Sequence, residues 1–154
     1  MQLIMSEIEK QGHFLEICLF FSANSMVRSL LKLAEKEFKP FNLSPAHASL
    51  LLAVYDSPGI SPKTLSQVLK LSPSTITRFL DSLEKKKLIQ RKIKGKSALI
   101  SATKQGLVIK ADIAKAYQHF FNTYNEILGD LPAGKLCLDI MDADKKIREY
   151  LNEQ

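Results

Sequence analysis

Apolar residues in this sequence recur mostly at helical spacing. Phe14, Ile17, Cys18 and Phe21, then Val27, Leu30, Leu31, Ala34 and Phe38 lie three or four positions apart, which predicts one long amphipathic helix over about 14–38. Lys39-Pro40-Phe41 ends it. Ser-Pro pairs at 44–45, 61–62 and 72–73 each stand directly before an apolar-periodic run, whereas Ser57-Pro58 is followed by glycine and belongs to a turn. A serine N-cap accepts an otherwise orphaned backbone N–H, and proline at the first helical position lacks only a donor that would be unpaired there. Each of those three pairs therefore predicts a helix start. The first helix runs through Leu51, Leu52 and Tyr55 to a turn at Asp56-Ser57-Pro58-Gly59. The second faces Leu65, Val68 and Leu69 inward, and the third Ile76, Phe79, Leu80 and Leu83. Only Lys70-Leu71 separates these last two, so they cross steeply and share one small core, as in a helix-turn-helix.

After Lys87 the periodicity changes. Leu88–Ile93 and Ser97–Ser101 read as strands, with Lys94-Gly95-Lys96 as the hairpin tip and glycine supplying a positive φ. A hairpin directly behind a helix-turn-helix is a wing. Thr103 then caps a long helix through Ile113, Tyr117, Phe120, Phe121, Tyr124 and Ile127, which Gly129 ends; Pro132 opens a last helix to about Leu151. The expected fold class is all-α with a small two-stranded β wing, one domain over 1–154. Its winged helix-turn-helix region covers 42–103, and a helical dimerisation region is built from 12–40 and 104–152. The aromatic stripe of Tyr117, Phe120, Phe121 and Tyr124 is too extensive for one thin domain to cover, which predicts a homodimer.

The net charge of +6 acquires meaning from its distribution. Between Pro62 and Lys110 twelve basic residues face only Asp81 and Glu84, so this stretch carries +10 and the remainder −4. A basic middle between acidic ends is the pattern expected where one region meets a polyanion. The apolar run Phe14–Ala23 contains Glu16 and lacks a basic leader, so neither a signal peptide nor a membrane span is expected, and the protein should be cytoplasmic. Cys18 and Cys137 are too far apart for a metal motif and too few for a disulfide framework. His13, His47 and His119 form no ligand pair. With no local signature of a hydrolase triad and no glycine-rich phosphate loop, no catalytic residue, cofactor or metal is expected.

The third Ser-Pro helix carries the most chemistry. Burial of Ile76, Phe79, Leu80 and Leu83 turns Ser74, Arg78, Asp81, Ser82 and Lys85 outward, flanked by Thr75 and Thr77. A helix entering a major groove needs small side chains at its leading end and a few donors for base edges, with Arg to guanine the commonest specific contact. Ser74, Thr75, Thr77 and Arg78 are accordingly the candidates for base and nearby phosphate contacts. Lys85, Arg91, Lys92, Lys94 and Lys96 are the candidates for the DNA backbone, since neutralising phosphates releases counterions. The plainer alternatives are a solvated surface helix and lysines that blunt an exposed strand edge.

Asn42-Leu43-Ser44, Pro58-Gly59-Ile60-Ser61-Pro62-Lys63-Thr64-Leu65, the run from Leu71 to Glu84, and Lys87-Leu88-Ile89-Gln90-Arg91 together resemble the MarR family of regulators. The chain departs from that pattern at Lys87, commonly glycine in the family, at Ala102-Thr103, and in a wing that is shorter and lacks the usual acidic-then-arginine tip. The resemblance implies a homodimer, recognition helices in successive major grooves of a pseudo-palindromic operator, and release by a small aromatic or anionic ligand. The expected function is thus a DNA-binding transcriptional regulator, a repressor rather than an enzyme, with double-stranded DNA and a second copy as partners. The alternatives are a cysteine-based redox-sensing regulator acting through Cys18, and a winged-helix protein-interaction module that never touches DNA.

Overall fold

The computed structural model describes residues 18–95, 97–129 and 132–153. They fall into two compact units, Met1–Ile113 and Ala114–Gln154. The beginning of the expected first helix, including His13, Phe14 and Ile17, lies outside the described residues.

In the first unit, α1 (Leu19–Phe38) runs into a 3₁₀ turn at Lys39–Phe41 and is followed by α2 (Pro45–Asp56), α3 (Pro62–Leu69) and α4 (Pro73–Lys85). All three Ser-Pro starts form as expected. The hydroxyls of Ser44, Ser61 and Ser72 accept from the N–H groups of His47, Thr64 and Thr75 at 3.3, 3.0 and 3.2 Å. Each such cap stabilises its helix by about 1 kcal/mol. α2 is apolar on most of its circumference, and Ala48, Leu50, Leu51, Val54 and Tyr55 are all buried, which makes it the central element. Around it Phe38, Leu65, Ile76, Leu80, Leu83, Ile89, Ile100 and Ile113 complete the core. His47, on the same helix, lays its ring 4.6 Å from that of Phe79 and so joins α2 to α4.

The ends of these segments are as regular as their starts. After the 3₁₀ turn, Asn42 N–H bonds to Lys39 C=O and Leu43 N–H to Phe38 C=O; Lys70 with Leu71, and Lys87 with Leu88, repeat the pair of bonds behind α3 and α4. This is the Schellman closure, and it places Asn42, Lys70 and Lys87 at φ of +53°, +53° and +57°. Lys87 therefore occupies a left-handed position, where glycine, having no Cβ, would carry less strain.

The wing consists of β1 (Ile89–Lys94) paired antiparallel with β2 (Ser97–Ala102), in a register that sets Arg91 opposite Ile100 and Lys92 opposite Leu99. Gly95 at the tip has φ +62°. Ile60 adds a short third rung on β2: its C=O accepts from Ile100 N–H, and the neighbouring Gly59 N–H donates to Ile100 C=O. The alternation did not reveal this rung, because one residue between a turn and a helix start carries no period.

Two further expectations are corrected. Val68 is 60% exposed, not inward. The buried direction of α3 lies between Leu65 and Leu69, and Val68 stands about 100° away from Leu69 around the axis. The single helix expected after Thr103 is two, α5 (Lys104–Val108) and α6 (Lys110–Leu128), broken at Ile109. The buried Tyr55 hydroxyl donates to Gly106 C=O at 2.6 Å, the acceptor that Lys110 N–H would use in an unbroken helix. A side chain competing in the i to i−4 ladder is a known cause of such a break.

In the second unit, the remainder of α6 and α7 (Ala133–Asn152) keep most of their apolar surface open. Phe120 and Phe121 both pack edge-on against Tyr124. α7 buries no residue at all; Leu138, Ile140, Met141, Ile147, Tyr150 and Leu151 are exposed. Its polar side carries i,i+4 ion pairs from Lys135 to Asp139, Lys146 to Asp142, Lys145 to Glu149 and Arg148 to Asp144. Gly129, at φ +56°, ends α6 as expected.

These contacts lead to two stability tests. A Cβ at Gly106 would overlap the backbone carbonyl oxygen of Leu88, so Gly106→Ala should lower unfolding free energy by about 1–3 kcal/mol in urea titration. Lys87→Gly removes left-handed strain and should raise it by about 0.5–1 kcal/mol, part of the gain being offset by a freer unfolded chain.

A third test is pH. Burial, and secondarily the nearby Lys86, hold the His47 pKa below its ordinary 6.5, and among the described residues the ring's buried Nε2 has no hydrogen-bond partner. The folded state thus takes up this proton later than the unfolded state does. The His47 contribution is complete above the unfolded pKa and declines as pH falls from about 6.5 towards the folded value. Urea midpoints measured down to about pH 5 should fall in the wild type and fall less in His47→Gln; equal slopes would exclude His47 as the source.

Candidate nucleic-acid interface

The solvent side of α4 follows from its buried side. With Ile76, Leu80 and Leu83 in the core and Phe79 half-buried on His47, the exposed residues after Pro73 are Ser74, Thr77, Arg78, Asp81, Glu84 and Lys85. Around the helix Arg78, Lys85, Ser74 and Asp81 lie within one arc opposite the core. Arg78 and Lys85, and Lys92 on the wing, are all exposed, and none of the three has an ion-pair partner among the described residues.

The hydroxyls at the leading end are tied into the cap. Ser72 Oγ lies 3.0 Å from Ser74 Oγ and 2.8 Å from Thr75 Oγ1. Thr77 Oγ1 donates to the Pro73 carbonyl at 3.0 Å, which leaves its lone pairs directed outward as acceptors. Thr75 is half-buried, the least accessible of the three. The leading turn is therefore short and hydroxyl-rich, and its side chains are already oriented by internal bonds.

The backbone candidates divide. Lys85 and Lys92 are exposed; Lys94 closes β1 opposite Ser97; Lys96 lies outside the described residues. The structure gives Arg91 partners other than the phosphates expected of it. Its guanidinium reaches back to α4, where Nη2 bonds to Asp81 Oδ1 and Nε lies 3.2 Å from Glu84 Oε2, in ion-pair range though not aligned as a hydrogen bond. The side chain is 28% exposed. The spacing of Asp81 and Arg91 gave no hint of this pair, because it depends on the wing folding back beside the helix.

The wing is held there at its base. Thr103 Oγ1 donates to Lys87 C=O at 2.6 Å and accepts from Gly106 N–H at 3.0 Å, while Thr103 N–H bonds to Leu88 C=O. Lys86 Nζ donates to Asn42 C=O at 2.9 Å, which fixes the end of α4 against the entry to α2. Beyond these anchors the strands leave the core, and Ile93 is 85% exposed.

Among the described residues no helix is long and apolar enough to cross a membrane, and no group of three or more His, Cys, Asp or Glu is placed to hold a metal ion. Cys18 is half-buried at the start of α1 beside the exposed Phe20 and Phe21, and Cys137 is exposed.

Comparison with known proteins places this geometry. Residues 43–96 match the model of the MarR family. The HTH-type transcriptional regulator SarZ of Staphylococcus aureus is 27% identical over 113 residues, covering 71% of this chain and 75% of SarZ. The crystal structure of the transcriptional regulator SlyA superposes with a TM-score of 0.73 at 22% identity, over 85% of this chain and 94% of that one. The S. aureus MepR–DNA complex gives a TM-score of 0.75 at 15% identity, over 85% and 98%. Those two likenesses speak for the fold, an all-α chain with a two-stranded wing, and the segment that matches the family model spans the helix-turn-helix and the first strand of that wing. The match to the MarR family is thus carried by the winged helix-turn-helix of this chain.

Proposed function

We propose that this protein is a sequence-specific DNA-binding transcriptional regulator that acts as a homodimer on a pseudo-palindromic operator, as a repressor. The observation that carries the proposal is the outward arc of α4, where Arg78 and Lys85 stand exposed behind a hydroxyl-rich leading turn, in a segment of +10. A protein-interaction module has no need of that charge. In this reading Ser74, Thr75, Thr77 and Arg78 meet base edges and adjacent phosphates, and Lys85, Lys92, Lys94 and Lys96 meet the DNA backbone. The match to SarZ, a transcriptional regulator, and the fold shared with MepR, solved with DNA, support it.

The homodimer rests on α7. A 20-residue helix with no buried residue and an apolar side rich in Leu, Ile and Met needs a cover, and a second copy supplies one with the same chemistry. Sedimentation at micromolar concentration should give about twice the 17.3 kDa chain mass, and a clean monomer would exclude it. Release by a small aromatic or anionic ligand belongs to the proposal through family resemblance. Such a ligand must bind the DNA-free arrangement more tightly than the bound one.

Arg78 provides the direct test. After an operator has been selected from random duplexes, Arg78→Ala should cost about 1–3 kcal/mol on that sequence and much less on unrelated DNA, with relaxed choice at one symmetric pair of positions. The thermal melt should be unchanged, since the side chain is exposed. Equal loss on both sequences would remove Arg78 from the specificity set.

A further inference from the structure

α4 is an unexpected surface to offer a polyanion. Its two basic residues, Arg78 and Lys85, are matched by two acidic ones, Asp81 and Glu84, so the helix as a whole is neutral. Asp81 is not at the margin: it lies three residues after Arg78 and four before Lys85, on the arc opposite Ile76, Leu80 and Leu83. Both carboxylates are open to solvent, with side chains 54% and 44% exposed. Set against phosphates, they would repel. The wing supplies what α4 lacks, because Arg91 bonds to Asp81 and lies within ion-pair range of Glu84.

We infer that Arg91 is a positioning residue: it fastens the wing to α4 and masks Asp81 and Glu84, so that the face carrying Arg78 and Lys85 is net positive, while Arg91 itself does not contact DNA. The inference rests on the DNA-binding reading above. Its geometry is specific to arginine. The planar fork spans two carboxylates from one strand position, where the single ammonium of lysine satisfies one well. The strand register makes this possible, since Ile89, Arg91 and Ile93 share one side of β1 and Ile89 on that side is buried in the core. Lys92 is on the other side of the strand and stays exposed for phosphate.

Charge masking and direct phosphate contact make different predictions once the carboxylates are removed. The full chain is compared as wild type, Arg91→Gln, the pair Asp81→Asn with Glu84→Gln, and the triple variant, each on the selected operator and on an unrelated duplex at one fixed salt concentration. Arg91→Gln should weaken both duplexes, by roughly threefold for each carboxylate freed if it lies about 7 Å from a phosphate in high dielectric. The pair should bind at least as well as wild type. The triple variant should bind like the pair, with the same dependence of log affinity on log salt. Arg91→Lys should fall between wild type and Arg91→Gln. Thermal melts, with binding read well below the lowest transition, separate a loss of contact from a loss of fold. Should the triple variant lose as much relative to the pair as Arg91→Gln loses relative to wild type, with a salt slope lower by about one, Arg91 touches phosphate directly and the masking role is overturned. Wild type that binds neither duplex overturns the DNA-binding reading, and the masking role with it.

Discussion

The arrangement of the first unit depends on one close approach between backbones. At Gly106 the start of α5 passes so near the Leu88 carbonyl that no side-chain carbon fits between them. Around this point Thr103 bridges Lys87 to Gly106, and the Tyr55 hydroxyl reaches the Gly106 carbonyl from the core of α2. The end of α4, the base of the wing and the start of the following helices are thereby joined within a few residues. Polar groups that would be costly to bury alone satisfy one another there. The orientation of the wing relative to α4, on which the proposed interface relies, is an outcome of that packing more than of anything in the hairpin.

Much of this was legible in the sequence because the signals were local. Ser-Pro at three helix starts, the two-residue spacer Lys70-Leu71 and the glycine at the hairpin tip each act through the backbone of their own neighbourhood, so each can be read without knowing what lies opposite. The same holds for the buried stripe of α4, since a period of 3.6 fixes both faces of a helix at once. The outward Ser74, Arg78 and Lys85 followed from the inward Ile76, Leu80 and Leu83.

What the sequence did not show was hidden mainly by distance along the chain. Tyr55 is 51 residues from Gly106, and nothing near Ile109 announces that a hydroxyl will arrive to interrupt the helix. Arg91 is ten residues from Asp81, across a helix end and a strand start, and a count of charges treats it as one more cation. Val68 looked inward because the apolar period allowed it, whereas the short α3 has room to bury only Leu65 fully. Composition could show that the middle of the chain is basic. It could not show which cations are already engaged by the protein itself.

The long C-terminal helix has a thermodynamic consequence. An isolated helix of this length is marginal in water, and exposed i,i+4 ion pairs add only tenths of a kcal/mol each. With no buried residue, α7 takes little of its order from its own chain. Whatever covers its apolar side is therefore a ligand for its folded form, and the order of the helix becomes a function of how much of that cover is present. Where the cover is a second copy, the folding of this part of the molecule is a concentration-dependent event, set by mass action in the cell as much as by the sequence.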